Sequence, residues 1–143
     1  LSICQAVELG ADGIYVSNHG GRQLDGVSAT IECLTLVADA VGDRVPIFVD
    51  GGVGRGTDVI KALALGARAC LIGRAHLWGL AAGGQHGVAR AIEILREEIA
   101  RSMALGGWRT IDEIDRGAVA WTERIRQIGL HSTRQHPDSL LSG

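Results

Sequence analysis

The chain has 143 residues, 46% of them hydrophobic, and its 14 Lys+Arg against 16 Asp+Glu give a formal net charge of -2. That length suits one domain with a real core, which argues against disorder, and the charge balance argues against nucleic acid as a partner. No apolar run reaches the roughly 18 residues of an integral membrane segment; the most apolar stretch, 62–84, is cut by Arg68 and Arg74.

The opening Leu1-Ser2-Ile3-Cys4-Gln5 has no basic n-region and no initiator Met, so it does not read as a signal peptide. It reads instead as the interior of something longer. Three β-branched, near-continuous apolar runs follow, at 13–17, 46–50 and 69–73. Such runs predict strands covered on both faces, as in parallel sheets. Between them, Thr30, Leu34, Val37 and Val41 fall at helical spacing and Gly42 supplies a stop. Thr57 is the expected cap of a second helix, with Asp58 in its first turn and Gly66 at its end. Val88, Ile92, Leu95, Ile99 and Met103 mark a long amphipathic helix that ends at Gly106-Gly107. A short helix is expected at Asp112 to Ile114, with a charge-mixed continuation through Ala118 to Ile128, and the polar tail from His131 is expected to fray.

Strand, helix, strand, helix, strand is the pattern of βα units joined by right-handed crossovers. Three strands do not close a (β/α)₈ barrel, which takes about 250 residues. The expected fold is therefore either a small open α/β domain or the last part of such a barrel. Cys4, Cys33 and Cys70 lie far apart with no CxxC pair. They predict neither a disulfide framework nor a zinc site, and read as reduced thiols of a cytoplasmic protein.

Chemistry gathers where the strands end. The first runs into Ser17-Asn18-His19-Gly20-Gly21-Arg22-Gln23-Leu24-Asp25. His19 is a natural general base near neutral pH, and Arg22 offers a fork that matches a carboxylate. A Gly-rich turn with both side chains in water is the plainer reading. The second strand ends in Asp50-Gly51-Gly52-Val53-Gly54-Arg55-Gly56, directly before a helix, a place suited to an anion. Its glycines do not have the spacing of the dinucleotide fingerprint. The third ends in Gly73-Arg74. Phosphate sites in (β/α)₈ barrels are built after strands seven and eight, so the second and third tips together could form one cradle. His76 and His86 lack the spacing of a helical metal pair, so a structural role is expected and no metal; His131 and His136 lie in the tail. Trp78, Trp108 and Trp121 are expected to pack.

The strings S-N-H-G-G-R-Q-L-D, D-G-G-V, R-G-T-D-V, K-A-L-A-L-G-A and I-G-R together resemble the FMN-dependent α-hydroxy acid dehydrogenase/oxidase family, over residues 1–116. That resemblance implies the C-terminal part of an FMN-binding (β/α)₈ TIM barrel, with 117–143 as a helical extension and tail. It implies oxidation of an L-2-hydroxy acid, of the lactate, glycolate or mandelate type, to the 2-oxo acid, and a homo-oligomer as the complete protein. His19 matches the family's base and Arg22 the arginine that grips the substrate carboxylate. Ser17, Asp50, Gly51, Gly52, Val53, Gly73 and Arg74 match its flavin contacts. Gly54 stands where the family usually has Arg, which leaves Arg55 to substitute. Phosphate-binding barrels of the IMP dehydrogenase or type 2 isopentenyl diphosphate isomerase kind share the Gly-rich loop but not His19 with Arg22. An inactive half-barrel is the third possibility.

Overall fold

A computed structural model describes residues 2–120. The expected continuation beyond residue 120, the tail, Trp121, His131 and His136 lie outside the described residues. Helix α1 (Ile3–Glu8) opens on a capping box in which Ser2 and Gln5 each accept the other's backbone N–H. Then follow β1 (Ile14–Val16), α2 (Thr30–Val41), β2 (Ile47–Val49), α3 (Gly56–Ala64), β3 (Ala69–Cys70) and α4 (Arg74–Gly106), with single 3₁₀ turns at His19–Gly21, Gly42–Arg44, Ile111–Glu113 and Arg116–Ala118.

The strands form one parallel sheet in the order β1-β2-β3. Ile14 lies opposite Ile47 and Val16 opposite Val49, while Val49 also pairs with Cys70. Consecutive parallel strands joined by helices must place all three carboxyl ends at one edge. The expected α2 stripe is fully realised: Thr30, Leu34, Val37 and Val41 are all buried, and Gly42 closes the helix at φ 59°. Leu34 and Val37 pack with Val16, Ile47, Val49, Ala62 and Leu65 in the main core between the sheet and its helices. A second cluster, Ile60, Ala64 and Ile114, joins α3 to Ile99 and Met103 of α4.

Three expectations need correction. The strands are covered on one face only among the described residues. Tyr15 and Leu71 are 52% and 43% exposed, on the side away from α2. Near-continuous apolar runs carry no information about which of their faces this stretch of chain itself covers. The cap of α3 is Arg55 rather than Thr57. Gly56 starts the helix because it is pressed against α4, where a built Cβ would stand 2.5 Å from the Glu98 Cβ and the Ile99 nitrogen. Finally, α4 begins directly after β3 and not near Val88. It is two arms, broken at Gly83 and Gly84, whose φ values are -158° and 56°. The break brings the backbones of Gly79 and Gly87 into direct contact. No helix among the described residues is long and apolar enough to cross a membrane.

Candidate active site

The three strand tips surround one cleft of about 410 Å³, lined by His19, Gly20, Arg22, Asp50, Gly51, Gly52, Val53, Gly54, Gly73 and Arg74, with Leu71 and Trp78 among its apolar walls. Nine residues expected near a ligand, from three separate parts of the sequence, therefore share one space. His19 opens the 3₁₀ turn after β1, and Arg22 caps its end. His19 has φ 55°, in the left-handed region that only special local support makes tolerable for a side chain. Ser17 provides that support: its hydroxyl accepts the His19 N–H at 3.1 Å. Ser17 itself does not line the cleft.

The loop after β2 is built for close approach. Gly51 and Gly52 have φ 84° and 88°. A Cβ on Gly51 would meet Asn18 Oδ1 at 2.7 Å and Thr30 Oγ1 at 3.1 Å. Thr30, the one buried polar residue among the described residues, donates its hydroxyl to the Gly51 carbonyl at 3.0 Å. No other residue fits there. Arg74 crosses from the third tip toward the first, so that its guanidinium stands 3.6 Å from where a Gly20 Cβ would lie.

Two helices start near this cleft, and only one offers its N-terminus. At α3, Asp58 Oδ2 accepts from the N–H groups of Gly54 and Arg55 at 3.1 and 2.9 Å, and Glu98 Oε2 accepts from Gly56 at 2.7 Å. The expected anion site at that helix is thus filled by the chain's own carboxylates. At α4 the first helical bond is Leu77 N–H to the Gly73 carbonyl, so the N–H groups of Arg74, Ala75 and His76 keep no intrahelical acceptor. Positive potential therefore centres on α4 and Arg74. Arg55 lies apart from these residues: its Nε donates to Glu98 Oε1 at 3.0 Å, and it does not line the cleft.

Asp50 carries the negative charge of the cleft. Its Oδ2 accepts the Tyr15 hydroxyl at 2.6 Å, while Oδ1 is buried and has no protein partner among the described residues. The bond to Asp50, followed by burial, raises the Tyr15 phenol above its ordinary value. Tyr15 was hidden in an apolar run, and its partner lies 35 residues away; only the strand register reveals the pair. His76 and His86 sit on the two arms of α4 and outside the cleft.

The arrangement gathers an imidazole and a guanidinium at the first tip and a second guanidinium, with unpaired helix N–H groups, at the third. A family model described as FMN-dependent dehydrogenase matches residues 2–121. A peroxisomal (S)-2-hydroxyacid oxidase, GLO3 of Arabidopsis thaliana, is 56% identical over 128 residues, 90% of this chain and 34% of the relative. An L-lactate dehydrogenase of Caulobacter sp. (strain K31) is 50% identical over 119 residues, 83% of this chain and 31% of the relative. A crystal structure of mandelate oxidase superposes with a TM-score of 0.76 at 48% identity, covering 80% of this chain and 35% of that one. The chain spans about a third of the length of the curated relatives it matches. The expectation of a cytoplasmic protein is overturned by the relative named peroxisomal, because unpaired cysteines do not distinguish one reducing compartment from another. A family match over 120 consecutive positions, with the cleft residues inside it, places this chain in the FMN-dependent dehydrogenase family.

Proposed function

We propose that residues 1–116 are the C-terminal part of a (β/α)₈ barrel that binds FMN and oxidises an L-2-hydroxy acid to its 2-oxo acid, with 117–143 as a C-terminal extension and the complete protein a homo-oligomer. The observation that carries this reading is the shared cleft: His19 and Arg22 on one tip, the Gly51–Gly54 turn on the next, Gly73 with Arg74 on the third. The open inner face of the sheet supports the barrel, since Tyr15 and Leu71 are the residues that further strands would cover.

FMN fits the residues present. Its phosphate suits the Arg74 guanidinium and the free N–H groups that begin α4, while the turn at Gly51, Gly52, Val53 and Gly54 lets the cofactor approach the backbone closely. Its polyol chain offers hydroxyl donors to the partnerless Asp50 Oδ1. When bound, FMN supplies a two-electron acceptor, which no side chain provides.

Arg22 grips the substrate carboxylate through two parallel N–H donors. That grip fixes the 2-hydroxyl and C2 relative to His19, whose neutral imidazole takes the proton that leaves as C2 is oxidised. His19 later returns it to solvent. Arg22 and Arg74 nearby favour anionic substrates and raise their local concentration.

The test is the His19→Ala variant of the complete polypeptide. General-base removal typically costs 10²–10⁴-fold in turnover, while flavin absorbance of the purified protein is expected to stay at the wild-type level. Wild-type turnover of 2-hydroxy acids in that variant would remove His19 from the reaction. A wild-type protein without flavin would remove the reading altogether.

A further inference from the structure

The pair formed by Tyr15 and Asp50 links the open sheet face to the cleft. Tyr15 lies opposite Phe48 in the β1–β2 register, so residue 50 is its diagonal neighbour on the same face. The 2.6 Å bond is short, as expected when a hydroxyl donates to a carboxylate. It fixes one oxygen of Asp50. The backbone holds the residue too, through its N–H on the Val16 carbonyl at 3.1 Å. What remains is Oδ1, buried, partnerless among the described residues, and on a side chain that lines the cleft.

A buried carboxylate oxygen without a donor is costly. The terminal torsion of an aspartate is soft and nearly two-fold, so the carboxylate would turn if nothing held it. Resting on the FMN reading above, we propose that Tyr15 is a positioning residue for the cofactor's polyol chain: its hydroxyl locks the Asp50 carboxylate so that Oδ1 is kept as the acceptor for a ligand hydroxyl. The same charge repels phosphate from this end of the cleft. The anionic group is thereby directed to Arg74 and the start of α4, and the ligand enters in one orientation. Tyr15 touches no reacting atom in this scheme and acts through Asp50 alone.

The test is a double-mutant cycle on flavin affinity in the complete polypeptide, read by quenching of FMN fluorescence on titration into apoprotein. Tyr15→Phe keeps the ring and removes only the hydroxyl, and is expected to weaken FMN about fivefold, the equivalent of one net hydrogen bond. In an Asp50→Ala background the same change is expected to have no further effect, because the acceptor it positions is gone. Equal losses in both backgrounds would mean that Tyr15 merely packs. Unchanged affinity in Tyr15→Phe would likewise overturn the proposal while leaving the FMN reading intact. Wild-type apoprotein that takes up no FMN would instead overturn that earlier reading, and this one with it.

Discussion

His19 is held in a backbone conformation that costs a non-glycine residue on the order of 1–3 kcal/mol, and the Ser17 hydroxyl on its N–H is what offsets that strain. Ser17 thereby helps to aim a neighbour, a contact that residue type cannot announce. His19, Arg22, Asp50 and Arg74 were legible because their chemistry and their place after apolar runs are both local features. Tyr15, Thr30 and Asn18 were not, since each acts through a partner distant in sequence. Cys70 makes the same point for reactivity. Burial, and then the nearby charge of Asp58, push its thiol up to about 11. The thiol is therefore almost wholly protonated at pH 8, and only the thiolate reacts. Alkylation of Cys70 by iodoacetamide at pH 8 is expected to be at least about tenfold slower in the folded protein than after unfolding. Peptide mapping after timed quenching measures the two rates. Equal rates would mean that the thiol is not shielded.

At the level of elements, the α3–α4 junction explains both what was foreseen and what was missed. Periodicity located α2 and the second arm of α4, because regular burial leaves a regular pattern. The first arm of α4 is glycine- and alanine-rich, and its contact with the second is made backbone to backbone at Gly79 and Gly87, which leaves no hydrophobic stripe. The start of α3 is likewise set by a tertiary contact, Glu98 on the Gly56 N–H and on Arg55. Gly56→Ala should therefore drive a methyl group into the backbone of α4, lowering stability by about 1–3 kcal/mol as overpacking does, measurable by urea denaturation. Glu98 adds a pH dependence. The Gly56 N–H first, and the Arg55 charge with it, hold its carboxyl below the ordinary value. A carboxylate depressed in the folded state contributes stability above its unfolded value of about 4.3, and loses it as pH falls through the folded value. Glu98→Gln should thus show a smaller drop in urea midpoint between pH 6 and pH 3 than wild type. An equal drop would show that the clamp does not titrate with folding.

Across the described residues, the sheet has one covered face and one open one. The core under α2 and α3 is closed by Leu34 and Val41, the largest side chains fully removed from solvent. On the other face Tyr15 and Leu71 remain in water, and β1 and β3 each pair on one side only among the described residues. Apolar runs predicted strands correctly because the residues on the open face are as apolar as those facing a helix. They could not say which face would stay open. Exposed strand edges beside an apolar face are templates for association. The 143-residue chain expressed by itself is therefore expected to self-associate and to bind a hydrophobic dye such as ANS. Supplying the remainder of the proposed barrel as a co-expressed segment should abolish both, because the same surface would then be buried. Light scattering and dye fluorescence read the two states. A lone chain that runs as a monomer, binds no dye and unfolds in one sharp transition would mean that the open face is stable in water, and the barrel assignment would lose its structural support.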